Sequence, residues 1–265
     1  MGIKALFTFD YGKSKMDNLR EFGYDITIIK EDGLEFVPEI EDTEVLVCYD
    51  PFNSLDISRM EKLKWIQLSS AGINQLPLNY LKQTGIVITN NKGGYSIPMG
   101  EWVVLKILEM LKHSARLYKN QQKKLWKMDT SVLELYGRTV GFIGTGRIAQ
   151  ESAKRLQGFG TRIIGTNTRG TETEYFNKCY STEDTDEMLK QCDIVVITVP
   201  YTEDTHHMID KNRINIMNDG VYIVNVARGS IIDENELISA LNSGKIAAAA
   251  LDVVEEEPLA MESPL

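Results

Sequence analysis

Short apolar runs alternate with polar, helix-compatible stretches along the first third of the chain. Five of these runs are rich in β-branched or aromatic residues and have the length of single strands: residues 3–9, 26–29, 45–48, 65–68 and 86–89. Strands at this spacing, separated by helical segments, are typical of βαβ units around a parallel sheet. The pattern therefore predicts an α/β domain in this part of the chain.

An apolar-periodic stretch begins at Pro98 and continues to about Tyr118. Because proline is tolerated in the first turn of a helix, this stretch is predicted to form one long helix. A second series of apolar runs follows, namely TVGFIG, RIIGT, DIVVITVP, VYIVNV and IAAAALDVV. The chain is therefore predicted to be an α/β protein with two domains, residues 1–94 and 95–265, each built around a mostly parallel sheet.

A glycine-rich motif opens the second series, where the strand TVGFIG leads into Gly144-x-Gly146-x-x-Ala149 and then into a helical segment. In dinucleotide-binding folds the first glycine allows a tight turn and the second lets a pyrophosphate approach the backbone. A small third residue lets the helix pack closely against the sheet. A second strand follows at the expected interval, which favours dinucleotide binding. A purely structural glycine turn is the alternative.

The next strand ends in GTNTRG, at the point where an NAD-binding protein usually carries an acid that binds the ribose hydroxyls. Neutral Asn167 removes the repulsion that a carboxylate exerts on a 2′-phosphate. Thr168 offers a hydroxyl, and Arg169 can form charge-assisted hydrogen bonds to a phosphate. We therefore predict NADP(H) as the cofactor. The alternative is a solvated Arg169 beside a site that accepts NAD(H) without the usual acid.

Composition narrows the range of functions. The 265 residues carry a formal net charge of −9, which argues against a nucleic-acid-binding surface. The content of 43% hydrophobic and 25% charged residues is that of an ordinary soluble globular protein. No apolar segment approaches membrane-spanning length, so no membrane association is predicted. The three cysteines show no C-x-x-C spacing and suit a reducing cytoplasm, which is the predicted location.

The segment VNVARGSIIDENELISALNSGKIAAAALDVVEEEPL, residues 224–259, resembles the D-isomer-specific 2-hydroxyacid dehydrogenases, which include phosphoglycerate dehydrogenases and glyoxylate/hydroxypyruvate reductases. NVARG, LDVVEEEP and the glycine motif carry the resemblance, which extends over nearly the whole chain. SSAGINQL and TNNKGGYSIPMGEW fall where the family has its substrate loop and hinge. The resemblance implies a flavodoxin-like substrate domain, a Rossmann dinucleotide-binding domain and a homodimer. It also implies hydride transfer between a nicotinamide cofactor and a small 2-oxoacid or D-2-hydroxyacid.

The resemblance also assigns catalytic roles. Arg228 matches the arginine that clamps the substrate carboxylate and polarises the keto oxygen, a task that suits a planar, permanently charged guanidinium. Glu257 matches the acid that pairs with the catalytic histidine and keeps a proton available on the imidazole. An arginine at the end of a strand and a solvated acidic run are the respective alternatives. For Glu255 and Glu256 the solvated interpretation is adopted.

Substrate binding is assigned to the SSAGINQL segment and to the hinge. Backbone N–H groups around Ala71 and Gly72 would form a concavity for the substrate carboxylate. Ser70 and Tyr95 are further candidate substrate-binding residues, and together with Ser69 they are candidates for setting which acid is accepted. An ordinary Ala-Gly turn is the alternative for this loop.

Further cofactor contacts also follow from the resemblance. Arg147 and Ile148 would flank the pyrophosphate, Pro200 would line the adenine pocket, and Asp252 would hold the nicotinamide carboxamide. A strand-end proline and a turn aspartate are the structural alternatives for Pro200 and Asp252. No metal ligands are assigned.

None of the three histidines stands at the family's catalytic position, which lies beyond Glu257. His113 is interpreted as a packing or surface residue of the long helix, while His206 and His207 are alternative proton donors. The resemblance implies that the 265-residue chain is a truncated form of a longer enzyme, and its activity in this form stays open. An NAD-dependent phosphoglycerate dehydrogenase and a non-catalytic dinucleotide-sensing protein are the alternative functions.

Overall fold

The computed structural model of the protein describes residues 2–265. The chain divides into two compact units, Met1–Tyr95 and Ser96–Leu265. The division lies one residue beyond the boundary predicted from the sequence. Each unit is built around one sheet in which every strand pairing is parallel.

The first unit contains a five-stranded sheet. Its strands are β1 (Ile3–Phe7), β2 (Tyr24–Ile28), β3 (Val45–Cys48), β4 (Trp65–Leu68) and β5 (Val87–Thr89), in the order β2-β1-β3-β4-β5. This is the flavodoxin-like order, and it confirms the predicted fold class. The helices are α1 (Lys13–Glu21) and α2 (Leu78–Leu81). Because strand side chains alternate between faces, Leu6 packs into one core cluster while Ala5 and Phe7 pack into another.

The second unit contains a six-stranded sheet. Its strands are β6 (Thr139–Ile143), β7 (Arg162–Thr166), β8 (Lys178–Tyr180), β9 (Ile194–Ile197), β10 (Val221–Asn225) and β11 (Ile246–Leu251), in the order β11-β10-β9-β6-β7-β8. This is the Rossmann order, and it confirms the predicted class of the second domain. The chain reverses its direction of travel across the sheet between β6 and β9. In open α/β sheets, ligands bind at such a point, beyond the carboxyl ends of the strands.

Six helices flank this sheet: α3 (Ser96–Leu111), α4 (Ser114–Gln122), α5 (Arg147–Leu156), α6 (Thr185–Leu189), α7 (Lys211–Ile216) and α8 (Glu234–Ser243). α3 packs closely on α5, and a side chain at Gly100 would approach Cβ of Glu151 to 2.8 Å. Within residues 2–265 no helix combines the length and the apolar character needed to cross a membrane. Over the same residues, no group of three or more His, Cys, Asp or Glu side chains could hold a metal ion.

The prediction of one helix from Pro98 to Tyr118 was wrong, because the chain breaks between α3 and α4. His113 adopts a left-handed conformation with φ of 52° at this point. The carbonyl of Leu111 accepts a hydrogen bond from the N–H of Leu133 at 2.9 Å, and the Lys112 ammonium bonds the Leu133 carbonyl at 2.7 Å. The returning segment therefore satisfies groups at the end of α3, and the helix ends there.

Candidate functional site

The glycine turn after β6 has the geometry of a phosphate-binding turn. Gly144 has φ of 92°, and a side chain there would approach Val199 Cγ1 to 2.8 Å. The N–H of Gly144 donates to the Thr166 carbonyl at 3.0 Å, and the Thr198 hydroxyl donates to the Gly144 carbonyl at 2.9 Å. Both the backbone conformation and the close neighbours therefore require glycine at this position.

Gly146 caps the ten-residue helix α5, and a Cβ added there would meet nothing within 4 Å. An open space therefore lies directly in front of the helix N-terminus, where free N–H groups and the helix dipole favour an anion. Ala149 is completely buried, so α5 approaches the sheet closely. Arg147 is exposed, and Ile148 is half-buried against the core of this unit. These residues fit a pyrophosphate at the turn.

The loop after β7 is organised by Asn167. Its Oδ1 accepts hydrogen bonds from the N–H groups of Thr171 at 2.9 Å and Arg169 at 3.3 Å. Its Nδ2 donates to the Thr171 carbonyl at 2.8 Å and to the hydroxyl of Thr145, inside the glycine turn, at 3.2 Å. The side chains of Thr168 and Arg169 are exposed at the tip of the loop. The Arg169 guanidinium takes part in none of the ion pairs found among residues 2–265.

Arg228 lies on the turn after β10, and a buried amide shapes that turn. Asn225 is 1% exposed. Its Nδ2 donates to the Arg228 carbonyl at 2.9 Å, and its Oδ1 accepts from the N–H of Ala227 at 3.0 Å. The Arg228 side chain is exposed and donates one hydrogen bond, to the Ala227 carbonyl at 2.7 Å. Sequence reasoning missed Asn225, although a polar residue that ends an otherwise apolar strand is a signal that could have indicated it.

The turn after β11 lies against the Arg228 turn. A side chain at Gly229 would overlap the backbone of Val254, and the N–H of Asp252 donates to the Asn225 carbonyl at 3.0 Å. Asp252 is exposed at this edge of the sheet. Glu257 is also exposed, and its Oε1 accepts from the N–H of Val254 at 3.2 Å. Among residues 2–265 no histidine forms a hydrogen bond with Glu257, so its assigned pairing stays a prediction.

Glu255 is exposed, as expected for a residue of a solvated acidic run, but it also has specific partners. Its Oε1 lies 2.7 Å from Nε2 of His207, and its N–H donates to the Glu234 carboxylate at 3.1 Å. The His207 ring stacks on that of His206 with the ring centroids 4.0 Å apart, and the His207 N–H donates to the Ser230 carbonyl at 2.8 Å. Contacts of His207 therefore join the loops that follow β9, β10 and β11. The partner of Glu255 is 48 residues away in sequence, so the acidic run alone gave no signal of it.

His113 lies elsewhere, at the junction of α3 and α4. Its Nδ1 is 3.4 Å from Oδ2 of Asp129, which also pairs with Arg116. Hydrogen bonds from Ser131, together with those from His113 and the charge of Arg116, hold the pKa of Asp129 well below its usual range. This cluster accounts for His113 as a structural residue.

In the first unit, the candidate substrate loop follows β4 and is held by its own side chains. The Ser70 hydroxyl donates to the Gly72 carbonyl at 2.8 Å, and the Tyr95 hydroxyl donates to the Ser69 carbonyl at 3.0 Å. Within residues 2–265 the N–H groups of Ala71 and Gly72 donate no hydrogen bond to the protein. Two neighbouring N–H groups are therefore available to a carboxylate.

Sequence reasoning also missed Glu31, which braces this edge of the first sheet. Its carboxylate accepts from the Thr8 hydroxyl at 2.7 Å and from the N–H groups of Tyr49 at 2.7 Å and Asp50 at 2.5 Å. Partial burial and the nearby Glu31 raise the pKa of the Asp50 carboxyl. The side chain of Gln75 extends this network, because its Nε2 bonds both the Tyr49 carbonyl and the Ser70 hydroxyl.

Two family models match the chain. The model described as D-isomer specific 2-hydroxyacid dehydrogenase, catalytic domain, matches residues 6–173, and the corresponding NAD binding domain matches residues 104–265. The chain is 34% identical over 228 residues to a D-3-phosphoglycerate dehydrogenase from Methanocaldococcus jannaschii, with 84% of the chain and 44% of that protein covered. It is 34% identical over 230 residues to a hydroxypyruvate reductase from Thermotoga maritima, with coverage of 86% and 74%.

A solved structure is also similar to the chain. The D-lactate dehydrogenase from Aquifex aeolicus, described as complexed with NAD and lactic acid, superposes with a TM-score of 0.80 at 29% identity. The match covers 96% of this chain and 78% of that one. The chain thus spans less than half the length of the phosphoglycerate dehydrogenase and about three quarters of the two other proteins.

Proposed function

The chain belongs to the D-isomer-specific 2-hydroxyacid dehydrogenase family, and from this premise we propose that it transfers hydride reversibly between a nicotinamide cofactor and a small 2-oxoacid or D-2-hydroxyacid. The observation that supports this most is local to the second unit. There the open glycine turn at the start of α5 shares one sheet edge with Arg228 and Asp252.

In this proposal the glycine turn holds the pyrophosphate through backbone N–H groups, with Arg147 and Ile148 beside it, and Pro200 borders the adenine. Asp252 orients the nicotinamide carboxamide. When bound, the nicotinamide ring supplies or accepts the hydride.

Arg228 holds the substrate carboxylate and draws electron density from the keto oxygen, since its charge is permanent and its donors lie in one plane. In the first unit, the free N–H groups of Ala71 and Gly72 bind the same class of carboxylate. Glu257 pairs with an imidazole that holds the proton for the keto oxygen.

The proposed cofactor is NADP(H). Asn167 places no negative charge at the end of β7. The exposed Arg169 borders a polar depression of about 680 Å³ whose lining includes Lys178 and Ser181 as well as the carboxylates of Asp184 and Glu187. The proposal therefore rests on the Arg169 guanidinium, which pairs with none of these carboxylates and suits a 2′-phosphate. A second candidate is an NAD-dependent phosphoglycerate dehydrogenase, which the 34% identity to the Methanocaldococcus jannaschii protein favours.

A substrate screen tests these proposals. Glyoxylate, hydroxypyruvate, pyruvate and phosphohydroxypyruvate are each mixed with the protein and either NADPH or NADH, and the loss of nicotinamide absorbance is followed. Turnover of a small oxoacid with NADPH supports the first proposal, and turnover of the phosphorylated acid with NADH supports the second. Cofactor binding without turnover of any 2-oxoacid would instead favour a dinucleotide-sensing role.

We also propose a homodimer in the cytoplasm. Large apolar side chains are exposed on α3, on α4 and on the segment after α4, among them Leu105, Leu117 and Trp126, which suits a protein contact. The three cysteines form no disulfide, which suits a reducing compartment. Light scattering of the eluted protein tests the dimer, and a mass equal to one chain would contradict it.

A further inference from the structure

We propose that Asn167 is a positioning residue for cofactor choice, whose amide holds the loop after β7 in the shape that presents Arg169 and joins that loop to the glycine turn through Thr145. The inference rests on the proposed function, because it concerns how the same site distinguishes NADP(H) from NAD(H). The inference adds to the argument from charge. Asn167 is not only neutral at this position, because its amide also holds the loop in shape.

The orientation of the Asn167 amide follows from its partners. Oδ1 faces two backbone N–H groups, those of Thr171 and Arg169, and these can only donate. Nδ2 faces the Thr171 carbonyl at 2.8 Å, which can only accept. The side chain therefore has to offer an acceptor and a donor at the same time, and an amide is the group of this size that does so.

A carboxylate at this position would disrupt the loop. The oxygen that replaces Nδ2 would lie about as close to the Thr171 carbonyl oxygen as the present 2.8 Å, with no proton between them. Two oxygens that both carry negative charge density repel each other, and the Thr171 carbonyl would lose its donor. The loop shape and the absence of the usual acid are thus consequences of one residue.

The loop is fastened to the glycine turn by a buried hydroxyl. Thr145, the residue between the two glycines, is 9% exposed, and its Oγ1 accepts from Asn167 Nδ2 at 3.2 Å and from the Thr173 hydroxyl at 3.0 Å. On its other side, the N–H of Asn167 donates to the Tyr180 carbonyl at 3.0 Å. The tip that carries Arg169 is therefore held relative to the turn that would bind the pyrophosphate, which fixes where the guanidinium meets a ribose phosphate.

The test uses cofactor binding rather than turnover. Dissociation constants for NADPH and NADH are measured by nucleotide fluorescence on the wild type, Thr145→Val, Asn167→Ala, Arg169→Gln and the control Thr198→Val. Thr145→Val keeps the side-chain shape but removes the acceptor, while Thr198→Val removes a hydroxyl that donates to the Gly144 carbonyl of the same turn. The ratio of the two constants is independent of the fraction of protein that is folded.

We expect Thr145→Val and Asn167→Ala to weaken NADPH binding by roughly three- to tenfold, the range of one neutral hydrogen bond, with little change for NADH. In an Arg169→Gln background, Thr145→Val should leave the ratio unchanged, because the group that it positions is gone. Hydrogen–deuterium exchange of residues 165–175 without cofactor should be faster in Thr145→Val than in Thr198→Val. Asn167→Asp should weaken NADPH binding without improving NADH binding.

The outcomes distinguish a failure of the proposed NADP(H) preference from a failure of the positioning role of Asn167. If the wild type binds NADPH no more tightly than NADH, and Arg169→Gln leaves both dissociation constants unchanged, then both the proposed cofactor and the inference are wrong. A wild type that prefers NADPH and loses the preference in Arg169→Gln, but keeps it in Thr145→Val and Asn167→Ala, would overturn the positioning role alone. An equal change of the ratio in Thr145→Val and Thr198→Val would overturn it too, since the effect would then belong to the turn in general.

Discussion

Replacing Asn225 by alanine tests how the Arg228 turn is built. The substitution removes two hydrogen bonds and leaves the N–H of Ala227, a residue only 8% exposed, without a partner. Loss of the hydrogen bond to the Arg228 carbonyl costs about 0.5–1.5 kcal/mol, and the buried N–H of Ala227 that is left unsatisfied costs about 1–3 kcal/mol. We therefore expect a loss of about 2–4 kcal/mol in the free energy of unfolding of this unit.

Asn225→Ala should lower kcat/KM for a 2-oxoacid much more than it lowers the affinity for the cofactor. Displacement of a substrate-orienting group by about 1 Å can cost roughly a hundredfold in rate, so kcat/KM for a 2-oxoacid should fall by about that factor. Affinity for the dinucleotide should change little, because the glycine turn after β6 is intact. The assays are urea unfolding followed by fluorescence, steady-state kinetics and cofactor titration on the same preparation.

The matched control is Thr185→Val in the same unit. Thr185 is 1% exposed and its hydroxyl donates to the Thr182 carbonyl at 2.7 Å, so its loss should lower stability without touching the Arg228 turn. If both variants lose stability and both keep normal kcat/KM, Asn225 has only a structural role. An Asn225→Ala protein with wild-type stability would refute the estimate itself.

The remaining predictions concern single side chains. Arg228→Lys keeps the charge but loses the planar pair of donors, so kcat/KM should fall at least about a hundredfold while cofactor affinity is unchanged, and a near-normal kcat/KM would remove Arg228 from catalysis. Cys179, the half-buried thiol, should react first with a thiol reagent at pH 8. Burial raises the pKa of Cys192 to about 12 and also raises that of Cys48, so both should stay unmodified until denaturant is added. Rapid titration of all three thiols in the folded protein would contradict this.

Most of the two sheets could be predicted from the sequence, because apolar runs and glycine turns are local signals. The strand β8 is absent from the predictions, since Lys178–Tyr180 is only three residues long and contains one buried side chain. The break at His113 is also absent from the predictions. The hydrogen bonds that end α3 join Leu111 and Lys112 to Leu133, about twenty residues further along the chain. Short edge strands and helix ends of this kind depend on contacts that a local pattern does not contain.

The residues of the candidate site also differ in whether a local sequence pattern indicates them. Gly144 and Gly146 were predictable because a G-x-G-x-x-A motif between a strand and a helix is a local pattern. The structure requires glycine at Gly144 and leaves open space at Gly146. Asn225 has partners only two and three residues away, and it could have been found as the polar residue that ends an apolar strand. Glu31 and the pair His207–Glu255 were not predictable, because only the fold brings their partners within hydrogen-bonding distance. A residue whose hydrogen-bond partners are distant in sequence has no local motif by which sequence reasoning could find it.

Asn167 shows what this difference means for interpreting a missing acid. From the sequence alone, an amide in place of a carboxylate indicates only that a charge which would repel a 2′-phosphate is missing. In the structure the same amide makes five hydrogen bonds with three residues. Three of the five are to backbone groups, namely two N–H groups that can only donate and one carbonyl that can only accept. Restoring the acid would therefore alter the loop as well as the charge. An improvement of NADH binding would need the Thr145 and Thr171 contacts to be rebuilt together with residue 167.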